Sequence, residues 1–191
     1  MNKKSFLLVI FLVLNLITTY AQALVVELGL SYGFQKKNFN ADNYYQSEYK
    51  TASLSFYLFE KLNLELSYTD SFYENQEKDS TTSTSRVTQQ TSNISGADLI
   101  FILTDQRSTF QPYLKGGASY VHKKAVIKYA NTNAFDIPTK DGFAPSYGVG
   151  LKFKLSELFS LRLNYDVWQT PMDDGTKSDD TAFKAGLSWY L

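Results

Sequence analysis

Nine charged side chains stand at alternating positions within otherwise apolar or small-residue segments. They are Glu27, Glu65, Asp98 and Asp166 against Lys115, Lys152, Lys154, Arg162 and Lys184. Charges taken out of water are tolerated only when they are paired and hydrogen-bonded. We therefore predict that these side chains form a network of salt bridges in an interior, the lumen, that is enclosed by the segments carrying them. We favour a structural polar filling of this lumen over a gated path for protons or ions.

The chain offers few other groups for catalysis or metal binding. The single histidine, His122, has no specific partner in the sequence, so we expect a solvated residue rather than a catalytic base. Asp173, Asp174, Asp179 and Asp180 have the chemistry for Ca²⁺, but their irregular spacing favours a solvated loop. We predict no enzyme activity, no cofactor and no metal site.

Period-two alternation of apolar and polar side chains predicts the strands that position these charges. Eight segments show it: 25–35, 49–58, 62–69, 95–103, 110–121, 147–155, 159–167 and 183–191. In the fourth segment we expect Asp98 inside together with Ile100 and Ile102, and a bulge that shifts the register stays open. The last segment should pair with the first and close a barrel.

Short connections at 59–61, 104–109 and 156–158 alternate with long polar ones at 36–48, 70–94, 122–146 and 168–182. This predicts an all-β fold, an eight-stranded antiparallel up-and-down transmembrane β-barrel, with long irregular loops at one end. Residues 80–92 are almost all Ser, Thr and Gln, and we expect them to be mobile.

Two aromatic belts favour a membrane barrel over a soluble one, whose interior would be the apolar side. The apolar rows carry aromatic residues near both strand ends, as interfacial girdles do. One belt holds Tyr32, Phe34, Tyr68, Tyr120 and Tyr147, and the other holds Phe101, Phe110, Phe153, Phe159 and Trp189. We expect these rows to face lipid and the small polar residues to face the lumen.

The N-terminus predicts export. Lys3 and Lys4 precede an apolar run at 6–14, so we expect a cleavable signal peptide at 1–23, with cleavage after Ala21 or Ala23, and a barrel at 24–191. There is no cysteine, and the 19 basic residues only balance 19 acidic ones, unlike the basic surface of a nucleic-acid-binding protein.

Three segments carry a family resemblance. Residues 111–120 contain a Pro-Tyr-x-x-x-Gly-x-x-x-Tyr pattern, and 147–167 join a Gly-rich strand, a short turn and a Ser-Leu-Arg-Leu-x-Tyr strand. The third segment, at the C-terminus, places Lys184, Gly186, Trp189 and Leu191 in one alternating pattern. The chain resembles the small eight-stranded outer-membrane proteins, the OmpA transmembrane domain, OmpX, OmpW and opacity-type barrels.

The resemblance implies a monomer in the bacterial outer membrane, in contact with its lipid and lipopolysaccharide, without the peptidoglycan-binding domain of full-length OmpA-type proteins. It also implies that the C-terminal pattern is the signal read by the barrel-assembly machinery, although Leu191 stands where the family usually ends in Phe or Trp.

Three hypotheses about function follow. We prefer a structural or surface-interaction barrel, with extracellular loops as the binding surface for a ligand or a cell surface and with a side-chain-filled polar lumen. The alternative resembles OmpW, a narrow channel for small hydrophobic compounds or ions, but the inward residues Gly33, Gln35, Thr69 and Ser119 argue against its apolar funnel. An enzyme is the third and least favoured.

Overall fold

A computed structural model describes residues 25–40, 42–78, 85–105, 107–129, 133–172 and 175–191. The predicted signal peptide lies outside the described residues. Within them, no helix is long and apolar enough to cross a membrane.

Nine antiparallel strands make up the fold. They are β1 (Val26–Asn38), β2 (Tyr44–Phe59), β3 (Leu62–Lys78), β4 (Ser85–Ile102), β5 (Phe110–Tyr129), β6 (Phe135–Ile137), β7 (Gly142–Lys154), β8 (Phe159–Pro171) and β9 (Lys177–Tyr190). Eight of them pair with their neighbours into a closed ring, because β4 pairs with β5 and β1 pairs with β9. The predicted eight-stranded up-and-down barrel is confirmed, and β6 is a short addition beside β5.

Side-chain direction follows the predicted alternation. Apolar residues of the outward rows, such as Leu30, Leu114 and Val149, are about half exposed, while the polar rows are buried inside the ring. In β4 the pairing with both neighbours is continuous from residue 86 to residue 101, so no bulge shifts its register. Asp98, Ile100 and Ile102 therefore face the lumen.

The prediction of long irregular loops is wrong for most of their length. β2 to β5 run far beyond the outer tyrosines, and residues 85–92, which we expected to be mobile, belong to β4. From Tyr68 to Lys78 alone, β3 continues for about 33 Å at about 3.3 Å per residue. Alternation disappears there because water wets both faces, so strands and polar loops have the same composition.

We call this extension the protruding sheet and define it by its segments. It consists of residues 44–50 of β2, 70–78 of β3, 85–93 of β4, 122–129 of β5, and β6. Its pairing is unbroken, so the residues that alternate in phase with the lumen-facing positions of the barrel share one face. We call it the lumen-side face, and we say that these residues have luminal parity. The residues between them share the opposite face, the outer-side face.

The seam between β1 and β9 is the shortest contact of the ring. It holds six pairs, from Glu27 opposite Tyr190 to Tyr32 opposite Ala185, whereas β1 and β2 share thirteen. Beyond this point the side chain of Tyr49 reaches from β2, and its hydroxyl donates a hydrogen bond of 2.9 Å to the carbonyl oxygen of Thr181 in β9. A side chain of β2 thus bonds to β9 in the region where the backbone pairing of β1 with β9 has ended.

Candidate functional site

The luminal charges meet in groups, and the first lies at the inner end near the turns. Lys152 of β7 places its Nζ 2.6 Å from Oε2 of Glu27 in β1 and 2.7 Å from the Tyr57 hydroxyl. The Tyr57 hydroxyl donates to the same Glu27 oxygen at 2.5 Å and lies 3.2 Å from that of Tyr190. This group connects four strands that are not all neighbours.

A second group spans the lumen at the next level. Arg162 of β8 is bound to Glu65 of β3, with a nitrogen–oxygen distance of 2.7 Å, and its guanidinium also donates to the Tyr113 hydroxyl at 3.2 Å. Tyr113 donates in turn to Asn164. The Tyr113 ring fits because its cross-strand neighbour is Gly150, where a Cβ would lie 2.2 Å from the ring.

The third group centres on Lys115 of β5, whose Nζ faces three carboxylates. It lies 2.8 Å from Asp166, 3.5 Å from Asp98 and 3.7 Å from Glu65. Asp166 is also 2.7 Å from Nζ of Lys184, while Asp98 accepts a hydrogen bond from Ser146. Lys115 therefore connects Glu65 of the second group with Asp98 of β4 and Asp166 of β8.

These three groups contain eight of the nine charges that we singled out, four acidic and four basic. The remaining one, Lys154, lies at the inner end with its Nζ 5.9 Å from the centroid of the Tyr190 ring. A cavity of about 10 Å³ lies among Glu65, Lys115, Arg162 and Lys184, which is room for about one water molecule. The structure thus places side chains, rather than an open pore, at this level of the lumen.

A fourth group at the outer end was missed from the sequence. Lys123 is only 6% exposed, and its Nζ lies 2.8 Å from both Asp180 and the Thr170 hydroxyl. We expected Asp180 in a solvated loop, and this expectation is wrong, because Asp180 lies in β9 and is bound to Lys123. The sequence did not show that β5, β8 and β9 continue beyond the predicted segments. These continuations place the polar residues at positions that face the lumen.

His122 is exposed on the outer side, where its Nδ1 is bound to Asp141. The backbone N–H of Lys123 also donates to Asp141, and this hydrogen bond lowers the pKa of the Asp141 carboxyl. Among the described residues, no group of three or more His, Asp or Glu is placed to hold a metal ion. Asp173 and Asp174 lie outside the described residues.

Apolar side chains close the lumen on both sides of the central charges. The outer cluster contains Ile94, Val121, Ala144, Trp168 and Ala182, with Tyr49 against it, and the inner cluster contains Tyr57, Ile100, Ile102 and Tyr113, with Tyr190 against it. The inward residues near the outer mouth are thus more apolar than Gly33, Gln35, Thr69 and Ser119 suggested. They are packed and buried, however, so they form a plug and not an open funnel.

This filling predicts the electrical behaviour of the barrel. We expect single purified barrels in planar lipid bilayers to give no stable current, because paired charges and two apolar clusters occupy the lumen. A large porin in the same bilayer serves as the positive control. Stable ohmic steps from the folded barrel would contradict a filled lumen.

Comparison with known proteins agrees with the geometry. The family model described as "Outer membrane protein beta-barrel domain" matches residues 6–190. No curated protein sequence matches the chain significantly.

Solved structures share the fold at low sequence identity. Neisserial surface protein A is 15% identical with a TM-score of 0.59, over 88% of this chain and 97% of that one. The N-terminal β-barrel domain of OprF from Pseudomonas aeruginosa is 16% identical with a TM-score of 0.55, over 87% and 97%. Ail, the attachment invasion locus protein of Yersinia pestis, solved with the heparin analogue sucrose octasulfate, is 13% identical with a TM-score of 0.52, over 88% and 99%.

The ring of eight strands, its lipid-facing apolar rows and the family match over nearly the whole chain lead to one conclusion. The chain belongs to the outer-membrane β-barrel family and is a protein of the bacterial outer membrane.

Proposed function

We propose that this protein is a surface-interaction barrel and that the protruding sheet is its binding surface. The observation that carries this proposal is that a paired, multi-stranded sheet stands above the outer tyrosines while the lumen is filled with side chains. A rigid scaffold that holds exposed side chains in fixed positions is suited to recognition. Binding would thus take place on paired strands, whereas the sequence predicted a binding surface made of loops.

Local contacts support a rigid protruding sheet. On its outer-side face Glu74 accepts hydrogen bonds from the Tyr44 hydroxyl and, at 2.6 Å, from the Gln89 amide. These bonds lower the pKa of the Glu74 carboxyl, with the bond from Tyr44 as the largest cause, so Glu74 stays ionised at neutral pH. Lys128 donates to the same Gln89 side chain at 2.9 Å. Four strands are thereby connected by side chains as well as by backbone.

We also propose the surroundings and state of the barrel. The outward apolar rows contact outer-membrane lipid, and the exposed lysines of the outer-side face, Lys50, Lys124 and Lys128, are placed to contact phosphate groups of lipopolysaccharide. We expect a monomer, since the backbone pairing of the ring is complete within one chain. We assign no catalytic role, because His122 is an exposed residue paired with Asp141.

One observation favours a second candidate, a conduit for small hydrophobic compounds that opens through the barrel wall. The β1–β9 ladder stops after six pairs, and an apolar groove of about 610 Å³ lies on the lipid side of this seam. Leu30, Tyr32, Tyr68, Leu187 and Trp189 are among the residues that line it. We rank this candidate second because the lumen behind the seam is packed by the outer apolar cluster.

Trimming the protruding sheet distinguishes the two candidates. Residues 73–90 can be replaced by Asn-Gly, since Phe72 and Thr91 are directly paired and a two-residue turn can join them. We expect loss of binding to host or bacterial cells by the intact bacterium, with unchanged uptake of small hydrophobic compounds. The measurements are cell-binding counts and uptake of a labelled hydrophobic compound.

A trimmed hairpin on the other side of the mouth is the matched control. Residues 172–176 can be replaced by Asn-Gly between the paired residues Pro171 and Lys177. Binding should persist in this variant. Loss of uptake with intact binding in the first variant would reverse the ranking.

A further inference from the structure

The two faces of the protruding sheet differ in charge. The outer-side face carries ionisable residues on four of its five strands, all except β4: Glu48, Lys50, Asp70, Glu74, Lys78, His122, Lys124, Lys128 and Asp136. On the lumen-side face, two successive rows that cross all five strands contain no acidic or basic residue. The first is Ser47, Tyr73, Gln90, Ala125 and Ile137, and the second is Tyr45, Asn75, Thr88, Ile127 and Phe135.

Two pairs of the charges that border these rows neutralise each other, while Lys37 of β1 continues the second row directly opposite Tyr45. Toward the tip, Arg86 is bound to Glu77. Toward the membrane, Lys123 is bound to Asp180 at 2.8 Å. The rows therefore form an uncharged strip, about 19 Å across five strands at a spacing of about 4.8 Å, with Lys37 at the edge that adjoins β1.

Aromatic and amide groups alternate within the strip. The rings of Tyr45 and Tyr73 meet edge to face with centroids 5.2 Å apart, and Phe135 is 55% exposed at the far edge. Between them stand the half-buried side chains of Gln90 and Asn75. An amide side chain has both N–H donors and an oxygen acceptor, so it can bind a group that also does both.

We propose that the lumen-side face of the protruding sheet binds an uncharged glycan chain, a proposal that rests on the surface-interaction function above. A sugar ring has an apolar C–H face, which suits Tyr45 and Tyr73, and a rim of hydroxyls, which suits the amides. A sulfated or acidic glycan would need several lysines or arginines along the strip, whereas Lys37 stands at one edge of it. An added peptide strand would pair along a free sheet edge, such as that of β6, and would not use the side chains of this face.

Direct binding to soluble glycans tests the proposal. The folded full barrel, held in a zwitterionic detergent without sugar head groups, is titrated with maltohexaose, cellohexaose and chitotetraose, and separately with heparin. We expect at least one neutral glycan to bind more tightly than heparin. Tyr73→Ala and Gln90→Ala should each weaken that binding by about ten-fold, the usual loss when a central contact is removed.

Neighbouring residues on the opposite face provide matched controls. Phe72→Ala and Thr91→Ala change the same strands at adjacent positions and should leave glycan binding unchanged. Heat-modified migration on a gel shows that each variant is folded. Equal losses in the controls, stronger binding of heparin, or no binding of the three neutral glycans would each overturn the glycan proposal. None of these results bears on the cell-binding experiment with the trimmed sheet. Unchanged cell binding by the trimmed variant would overturn the proposed function itself.

Discussion

Replacing Lys115 with methionine is expected to destabilise the folded barrel by about 3 kcal/mol or more. The reason is the charge that the substitution leaves behind. Asp166 would keep Lys184 at 2.7 Å and Glu65 would keep Arg162 at 2.7 Å, but among the described residues Asp98 forms a salt bridge with Lys115 alone. A carboxylate that is 1% exposed would then lie inside the barrel without a cation. Urea unfolding in lipid vesicles, followed by tryptophan fluorescence, measures the loss.

A second substitution tests the assignment of this loss to Asp98. Adding Asp98→Asn to Lys115→Met removes the uncompensated charge and should recover more than half of the lost stability. Lys61→Met is the matched control, because Lys61 pairs with Asp105 at the surface at 3.1 Å and such exposed pairs contribute about 0–1 kcal/mol. An effect of Lys115→Met no larger than that of Lys61→Met would contradict the central role of Lys115.

Gly186→Ala is expected to prevent closure of the ring, with a loss of folded barrel of about ten-fold or more, equivalent to about 1.4 kcal/mol. Gly186 lies opposite Ser31 in the β1–β9 seam, and a Cβ at this position would stand 2.1 Å from the carbonyl oxygen of Leu30 and 2.5 Å from the Cβ of Ser31. Backbone atoms must move to admit the methyl group, in the ladder that has the fewest pairs. The measurement is the folded fraction on a heat-modifiability gel after refolding into vesicles.

Gly116→Ala is the control for Gly186→Ala. Gly116 faces outward, and a Cβ there meets only the carbonyl oxygen of Ser146, at 4.0 Å. The same methyl group should therefore have no measurable cost. Similar folded fractions for the two variants would show that the seam tolerates a side chain and that our steric account is wrong.

The same gel separates closure from recognition by the assembly machinery. That Lys184, Gly186, Trp189 and Leu191 form an assembly signal stays a prediction. Trp189 is half-buried on the outward row, so its recognition need not affect closure. If the signal is real, Trp189→Ala should reduce folded barrel in cells but refold normally in vesicles, whereas Gly186→Ala should fail in both.

The fold was predictable from the sequence because a strand that separates lipid from a polar lumen must alternate with period two. Glu27, Asp98 and Arg162, for example, occupy polar positions in the alternation of their segments. The structure places all three inside the ring. Where alternation ends, prediction from the sequence ends as well. Trp168 and Lys123 lie in strand continuations that resembled polar loops, so both were missed as luminal residues.

The amino-acid sequence by itself determined the eight strands, their closure into a barrel and the side on which each of the nine charges first singled out lies, since these follow from the alternation of polar and apolar residues. Only the tertiary structure decided which charges meet. Lys115 contacts carboxylates on β3, β4 and β8, and Arg162 reaches across the lumen to β3. It also decided that most of the predicted outer loops form a sheet with an uncharged strip on one face. Such contacts depend on strand stagger and curvature, which bring together residues far apart in the chain.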